Sequence, residues 1–452
     1  MNTNKVDMLN GPLLKKMIIF ALPLAMGSIF QQLFNMVDSA VVGQFASSEA
    51  LGAVGANAPV INLFINLFVG ISVGSSVLIA TYIGSGNNKS LSKGVHTSIS
   101  IALLSGLSLM ILVLLVAKPL LVFMGTPENI LNLGVLYLRI YAIGMPFILL
   151  YNFTSAILRS AGDSKHPFYA LVIGGIINVI LNLILVIGFK RSVDGVAIGT
   201  VVSNMIASLY VLYYLAHERE ELRFHIKKLS IHKNELLSIL RIGIPAGLQG
   251  TVFSVSNVII QSTINSFGSS VVAGSAAAGN FEYIGYAMIN GFSQAATTFV
   301  GQNYGAGKLD RCRKIWKIAL ISGMGIAMMV DICIVLARLP LAHLFTSDPL
   351  VIPIVARRTL IIMSLHWLLG TYEITGCTLR GYGKSLVPAL LTVIGTCLVR
   401  IFWVYLVNNY FYSFDMLLLV YPISWTITGT LVITYYFITR KKIEKSFKTI
   451  EA

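Results

Sequence analysis

Two stretches decide the fold: YNFTSAILRSAGDSKHP, residues 151–167, and YEITGCTLRGYGKSLVP, residues 372–388. Each opens on Tyr and a polar residue (Tyr151-Asn152, Tyr372-Glu373), carries Leu-Arg-x-x-Gly (Leu158 to Gly162, Leu379 to Gly383) and closes on Pro167 or Pro388. They lie 221 residues apart, and offsets of 221 or 222 recur elsewhere. Ala21-Leu22-Pro23 answers Gly243-Ile244-Pro245, while Phe45, Ser48 and Gly52 answer Phe267, Ser270 and Gly274. Gly84 and Gly86 answer Gly305 and Gly307. The chain is one plan written twice.

Around these pairs the sequence is apolar. Of 452 residues 56% are hydrophobic and only 11% charged, with a mean hydropathy of +0.80. Soluble domains carry roughly 25% charged residues. Apolar runs fall near 13–43, 50–80, 94–117, 130–156, 166–189 and 193–216, then 237–265, 272–300, 311–337, 352–377, 387–409 and 414–439. A membrane helix needs about 20 apolar residues, and backbone amides in hydrocarbon must bond within their own segment. The runs are continuous rather than alternating, which argues against a membrane β-barrel. The expected fold is an all-α polytopic membrane protein: about twelve transmembrane helices in two pseudo-symmetric six-helix bundles. Six spans separate the copies, so both insert the same way round, with an axis along the membrane normal and a central cavity. The expected division is residues 1–216, a linker at 217–236, residues 237–440, and a basic tail at 441–452.

The net charge of +15 would suit nucleic acid if it lay on one domain. Instead 25 of the 33 Lys and Arg residues fall in the amino terminus, the even-numbered loops, the linker and the tail. This distribution places both termini in the cytoplasm and argues against nucleic acid; the expected location is the plasma (inner) membrane of a bacterium, with lipids as the surrounding partner. The polar start, Met1 to Gly11, precedes an apolar run too long for a signal peptide, so the first helix is expected to be retained. The linker, with Arg219, Arg223, Lys227, Lys228 and Lys233, reads as an amphipathic interfacial helix, a regulatory segment being the alternative. Cys312, Cys333, Cys377 and Cys397 show neither a disulfide nor a metal spacing. No nucleotide loop, Ser/His/Asp set or metal-binding His pattern appears. The chain is therefore expected to be no enzyme and no ATP-driven pump, with no cofactor beyond a possible bound Na+, and to act as a monomer.

Charged residues inside apolar spans are functional candidates, because each costs several kcal/mol in hydrocarbon. Six stand out: Asp38, Glu282, Asp331, Glu373, Arg139 and Arg400. Asp38 follows Gln31 and Asn35 on one face of the first span. That stripe needs a cavity or a partner helix, and a static hydrogen-bond network is the alternative. In the fifth span Asn178 and Asn182 share a face at i and i+4, and Thr200 in the sixth span could add a hydroxyl. These oxygens suit a hard cation such as Na+ at Asp38 and Asn178, or could equally tune one protonatable Asp. Glu282 and Glu373 are read as cavity acids for cationic solutes or protons, the alternative being structural pairing, for Glu282 with Arg400. Asp331 and Arg139 are read as structural. Pro23 and Pro245 interrupt long helices and either hinge them or serve packing. Arg159 and Arg380 are placed to hold helix-end carbonyls or lipid phosphates.

Taken in order, Pro23, Val37-Asp38, Val42-Gly43, Gly301-Gln302-Asn303-Tyr304-Gly305 and the two Leu-Arg-x-x-Gly turns resemble the multidrug and toxic compound extrusion (MATE) family. The resemblance covers nearly the whole chain. It implies secondary active antiport: export of amphipathic, often cationic drugs or metabolites against inflow of Na+ or H+, with the coupling carboxylate at Asp38. The sequence departs from the family's Asn-x-x-x-Asp in the fifth span, where Asn182 replaces the Asp. Two rival readings are a lipid-linked oligosaccharide flippase, which requires cationic cavity residues, and a membrane-embedded enzyme, which requires a nucleophile constellation.

Overall fold

The structure, a computed structural model, describes residues 5–451. Among the described residues every regular element is helical. We number the long helices α1 (Leu13–Phe45), α2 (Ser48–Ser85), α3 (Asn88–Phe123), α4 (Glu128–Ser160), α5 (Lys165–Gly188) and α6 (Val193–Ala216). After the linker come α7 (Lys233–Ser266), α8 (Ser269–Gly305), α9 (Leu309–Leu336), α10 (Ile352–Gly381), α11 (Leu386–Tyr410) and α12 (Val420–Glu451). Two short helices, Arg338–Phe345 and Phe414–Leu418, precede α10 and α12. Among the described residues eleven helices are long and apolar enough to cross a membrane. The exception is α8, whose Gly, Ala, Ser and Asn residues dilute its hydropathy. A 3-10 turn, His366–Leu368, breaks α10, and π-helical segments occupy Leu183–Gly188 in α5 and Val393–Leu398 in α11.

The doubled glycines end helices in the same way in each copy. Gly162 (φ 92°) and Gly383 (φ 74°) take the left-handed conformation that glycine alone adopts without strain. Around them Asp163 N–H donates to Leu158 O at 3.0 Å and Lys384 N–H to Leu379 O at 2.9 Å. Gly86 and Gly307 repeat the arrangement, with Asn87 N–H on Tyr82 O and Lys308 N–H on Asn303 O. All four satisfy the carbonyls that a helix end leaves unpaired. Arg380 is not used for this purpose: it donates to Gln249 Oε1 and Cys377 Sγ.

The residues form two compact units. The first comprises residues up to Val6 and Met26–Gly247; the second comprises Asp7–Ala25 and Leu248–Ala452. This differs from the sequence-based division at residues 216 and 237. The first half of α7 groups with the first unit and the first half of α1 with the second, and the boundaries fall two residues after Pro23 and Pro245.

Lipid is as apolar as a side chain, so close backbone approach, rather than escape from water, holds such helices together. In the first unit Gly70 and Gly74 of α2 lie so near Gly247 and Ile239 of α7 that an added Cβ would overlap their backbone. In the second unit Gly291 of α8 faces Ala21 O of α1, where a Cβ would sit at 2.7 Å. These are equivalent seams. Inside the first unit α4 packs on α2, α3 and α6, burying Leu121, Leu138, Ile157 and Val211. Inside the second, α8 packs on α9 and α10, and Trp316 stacks on Tyr436 at 4.3 Å.

The linker is not the expected amphipathic helix. Apart from one 3-10 turn, Ile226–Lys228, it is irregular. Besides short turn bonds such as Leu222 N–H to Arg219 O at 2.9 Å and Lys228 N–H to His225 O at 2.9 Å, its backbone bonds to α3: His225 N–H donates to His96 Nε2 at 3.2 Å and His232 N–H to Thr97 Oγ1 at 3.1 Å. Leu222 is buried in the core of the first unit. These tertiary bonds outweigh the modest advantage of one short, highly charged helix.

Candidate functional site

Three helices of the first unit converge on Asp38. It lies in the second half of α1, half-buried, and accepts a hydrogen bond from Asn182 Nδ2 at 2.6 Å. Asn178 and Asn182 are buried on one face of α5, immediately before its π-helical segment. Such segments recur at functional sites, because the widened turn frees backbone groups and re-aims side chains. Thr200 of α6 completes the group.

The Asn178 amide bridges the two neighbours: its NH2 donates to Asp38 Oδ1 at 2.6 Å and its oxygen accepts from Thr200 N–H at 3.3 Å.

Asn182 Oδ1 is buried without a hydrogen-bond partner. It lies against Gly199 of α6, where a Cβ would overlap it. Among the described residues no ion pair includes Asp38 and no cluster of three His, Cys, Asp or Glu residues could hold a metal. The carboxylate is thus held by neutral amides alone. Gln31 and Asn35 are exposed on the same helix, and no hydrogen bond links their side chains to Asp38. Tyr137 and Tyr141, an i and i+4 pair on α4 with rings 5.9 Å apart, pack in the same core cluster as Val37, the neighbour of Asp38. They were not singled out in the sequence, although their helical spacing is the signal that marked Asn178 and Asn182.

In the second unit the acids are arranged differently. Glu282 of α8 does not pair with Arg400; it accepts two hydrogen bonds from Arg358, at 2.7 and 3.1 Å. Arg358 lies one helical turn and a half into α10 and is buried. Arg400, 1% exposed, donates to Asn257 Oδ1 at 3.0 Å and Ser424 Oγ at 3.3 Å. Its guanidinium also lies 5.0 Å from the Phe253 ring and 4.9 Å from that of Tyr421. Glu373 is half-buried, with Cys377 Sγ at 4.0 Å. Asp331 pairs with His366, both buried, and Arg139 is exposed.

A doubled membrane-helical fold, with a half-buried carboxylate held by amides alone in one unit and the Arg358–Glu282 pair in the other, fits a transporter. The MatE family description matches residues 23–184 and 245–406, two stretches offset by the internal repeat. The chain belongs to this family, and its relatives are named as transporters rather than enzymes. The probable multidrug resistance protein YoeA of Bacillus subtilis is 28% identical over 438 residues, spanning 95% of this chain and 94% of its own. The FAD transporter of Shewanella oneidensis is 25% identical over 442 residues, 96% of each chain. A solved outward-facing multidrug resistance MATE transporter of the MOP superfamily superposes with a TM-score of 0.90. It is 24% identical and covers 98% of this chain and 100% of that one. The protein is a multi-pass membrane efflux transporter of the MATE family.

Proposed function

We propose that the protein is a secondary active antiporter that exports amphipathic drugs or metabolites, cationic ones among them, in exchange for Na+ or H+ bound at Asp38. The observation that carries this reading is the Asp38 site: a half-buried carboxylate inside a membrane span, held by Asn178 and Asn182 and by no basic residue. An ionised Asp there is costly, and either a proton or a cation neutralises it. Asp38, Asn178, Asn182 and Thr200 supply only oxygen ligands, which suits Na+ as cargo and is compatible with H+.

For the solute, Glu373 is the remaining carboxylate, because Arg358 neutralises Glu282. Gln31 and Asn35, exposed on the helix that carries Asp38, offer polar lining. Pro23 and Pro245 sit at the unit boundaries and serve as hinges. Both termini and the linker lie in the cytoplasm of a bacterial cell, and the transporter works as a monomer in the plasma membrane.

The test uses inverted membrane vesicles with an imposed Na+ or pH gradient and a fluorescent organic cation. Asp38→Asn should insert and fold normally yet lose gradient-driven uptake. Whichever gradient drives the wild type identifies the coupling ion. Full gradient-dependent uptake by Asp38→Asn would leave Asp38 a structural residue and refute the proposal.

A further inference from the structure

Arg400 has no counterpart in the mechanism just described. It lies 14 residues into α11 and 10 from its end, about 21 Å and 15 Å along the helix axis. That is deep within the span. A guanidinium buried there requires compensation, and among the described residues no carboxylate pairs with it. Glu282 is fully engaged by Arg358. What Arg400 does hold is the oxygen of Asn257, together with Ser424 and two aromatic rings.

The consequence appears on α7. Because Arg400 takes the Asn257 oxygen, that amide keeps its NH2 as the donor for another group, and Asn257 is exposed. Eight residues back, Arg380 takes the Gln249 oxygen at 2.7 Å and orients that amide likewise. Arg380 is 8% exposed, and its Nε is buried without a partner. Gln249, Phe253 and Asn257 follow at four-residue spacing, on one face. Two amide donors thus flank an aromatic ring, and each is backed by a buried arginine. Gln261 and Asn265 continue the exposed polar line, bonded to each other at 2.9 Å. Polar side chains within a membrane span favour a water-filled cavity or a solute over hydrocarbon.

We propose that Arg400 and Asn257, with Phe253 beside them, form a subsite in the second unit for the anionic group, carboxylate or phosphate, of an amphipathic aromatic solute. The subsite extends the transported class to zwitterions and organic anions, and it rests on the efflux reading for the solute's transport but not for its binding. The depth of Arg400 favours a solute over a lipid headgroup, whose phosphate sits at the membrane surface.

The experiment measures binding directly, by fluorescence anisotropy on the full chain in phosphatidylcholine nanodiscs. The probes are rhodamine B, which carries a free carboxylate, and its ethyl ester, which does not. The wild type should bind the free acid at least tenfold more tightly than the ester. Arg400→Gln should abolish that preference, and Arg400→Lys should retain most of it. Asn257→Asp supplies an internal carboxylate to Arg400 without emptying its place, so it should abolish the preference in a folded protein. Equal affinity of the wild type for both dyes, or a preference that survives both Arg400→Gln and Asn257→Asp, overturns the proposal. A wild-type preference that vanishes when phosphatidylglycerol is added assigns the site to a lipid headgroup and overturns it too. Failure of the antiport reading shows separately, as absent gradient-driven transport with the binding preference intact.

Discussion

Replacing Glu282 with Gln separates a structural ion pair from a solute-binding acid. Its side chain is 17% exposed and that of Arg358 7%, and two bonds, Nε to Oε1 at 2.7 Å and Nη2 to Oε2 at 3.1 Å, join them. Unit charges about 4 Å apart at an effective dielectric of about 20 attract by about 4 kcal/mol. Breaking such a buried pair typically costs about 3–5 kcal/mol, because the remaining charge stays buried. Glu282→Gln keeps one acceptor for Arg358, so the lower end, about 3 kcal/mol, is expected. For a unit of this size each kcal/mol lowers the melting temperature by about 2–4 °C. The variant should therefore melt roughly 6–12 °C below the wild type in detergent at a fixed scan rate. Arg358→Met should fall similarly, and the double replacement Glu282→Met with Arg358→Met should recover most of the loss. Folded Glu282→Gln should export a cationic dye at the wild-type rate per molecule. A melting temperature unchanged within about 1 °C, combined with lost export, would refute the pairing argument and return Glu282 to the solute.

Other expectations follow from single contacts. Gly199→Ala should drive Asn182 away from Asp38 and lose a bond to a charged group, about 1.5–3 kcal/mol; the half-saturating coupling-ion concentration should change about tenfold or more. An unchanged value would remove Asn182 from the site. Gly162→Ala should destabilise more than Gly383→Ala, because its Cβ would meet Val6 O at 2.5 Å while nothing lies within 4 Å at Gly383. Thermal melts of the two variants decide this, and equal losses would show that backbone strain alone matters. Cysteine placed at Ile226, 73% exposed in the linker, should react with an impermeant reagent only after cells are opened, in a background lacking the exposed Cys333. Labelling of intact cells would invert the proposed orientation.

The helices and their doubling were legible because hydropathy and the Leu-Arg-x-x-Gly turns are local signals. The Asp38 site was legible in part for the same reason: Asn178 and Asn182 are one helical turn apart, so their shared face follows from periodicity. The partner of Glu282 was not, since Arg358 lies 76 residues away on another helix and no spacing rule connects them. Depth misled there, as Glu282 and Arg400 sit at similar levels yet belong to different hydrogen-bond networks. The linker misled because its charge pattern imitates an amphipathic helix, whereas isolated turns and two bonds to His96 and Thr97 of α3 take its backbone donors.

The exchange of helix halves between the two units has a consequence for the gene. A cut in the linker yields one polypeptide carrying α1 to α6 and another carrying α7 to α12. Neither contains a complete unit. In the first fragment the Gly70 and Gly74 seam lacks Ile239, Gly243 and Gly247; in the second, Gly291 lacks Ala21 and Ala25. Each coding half thus writes most of one body and the missing edge of the other, and only a cell that makes both can finish either.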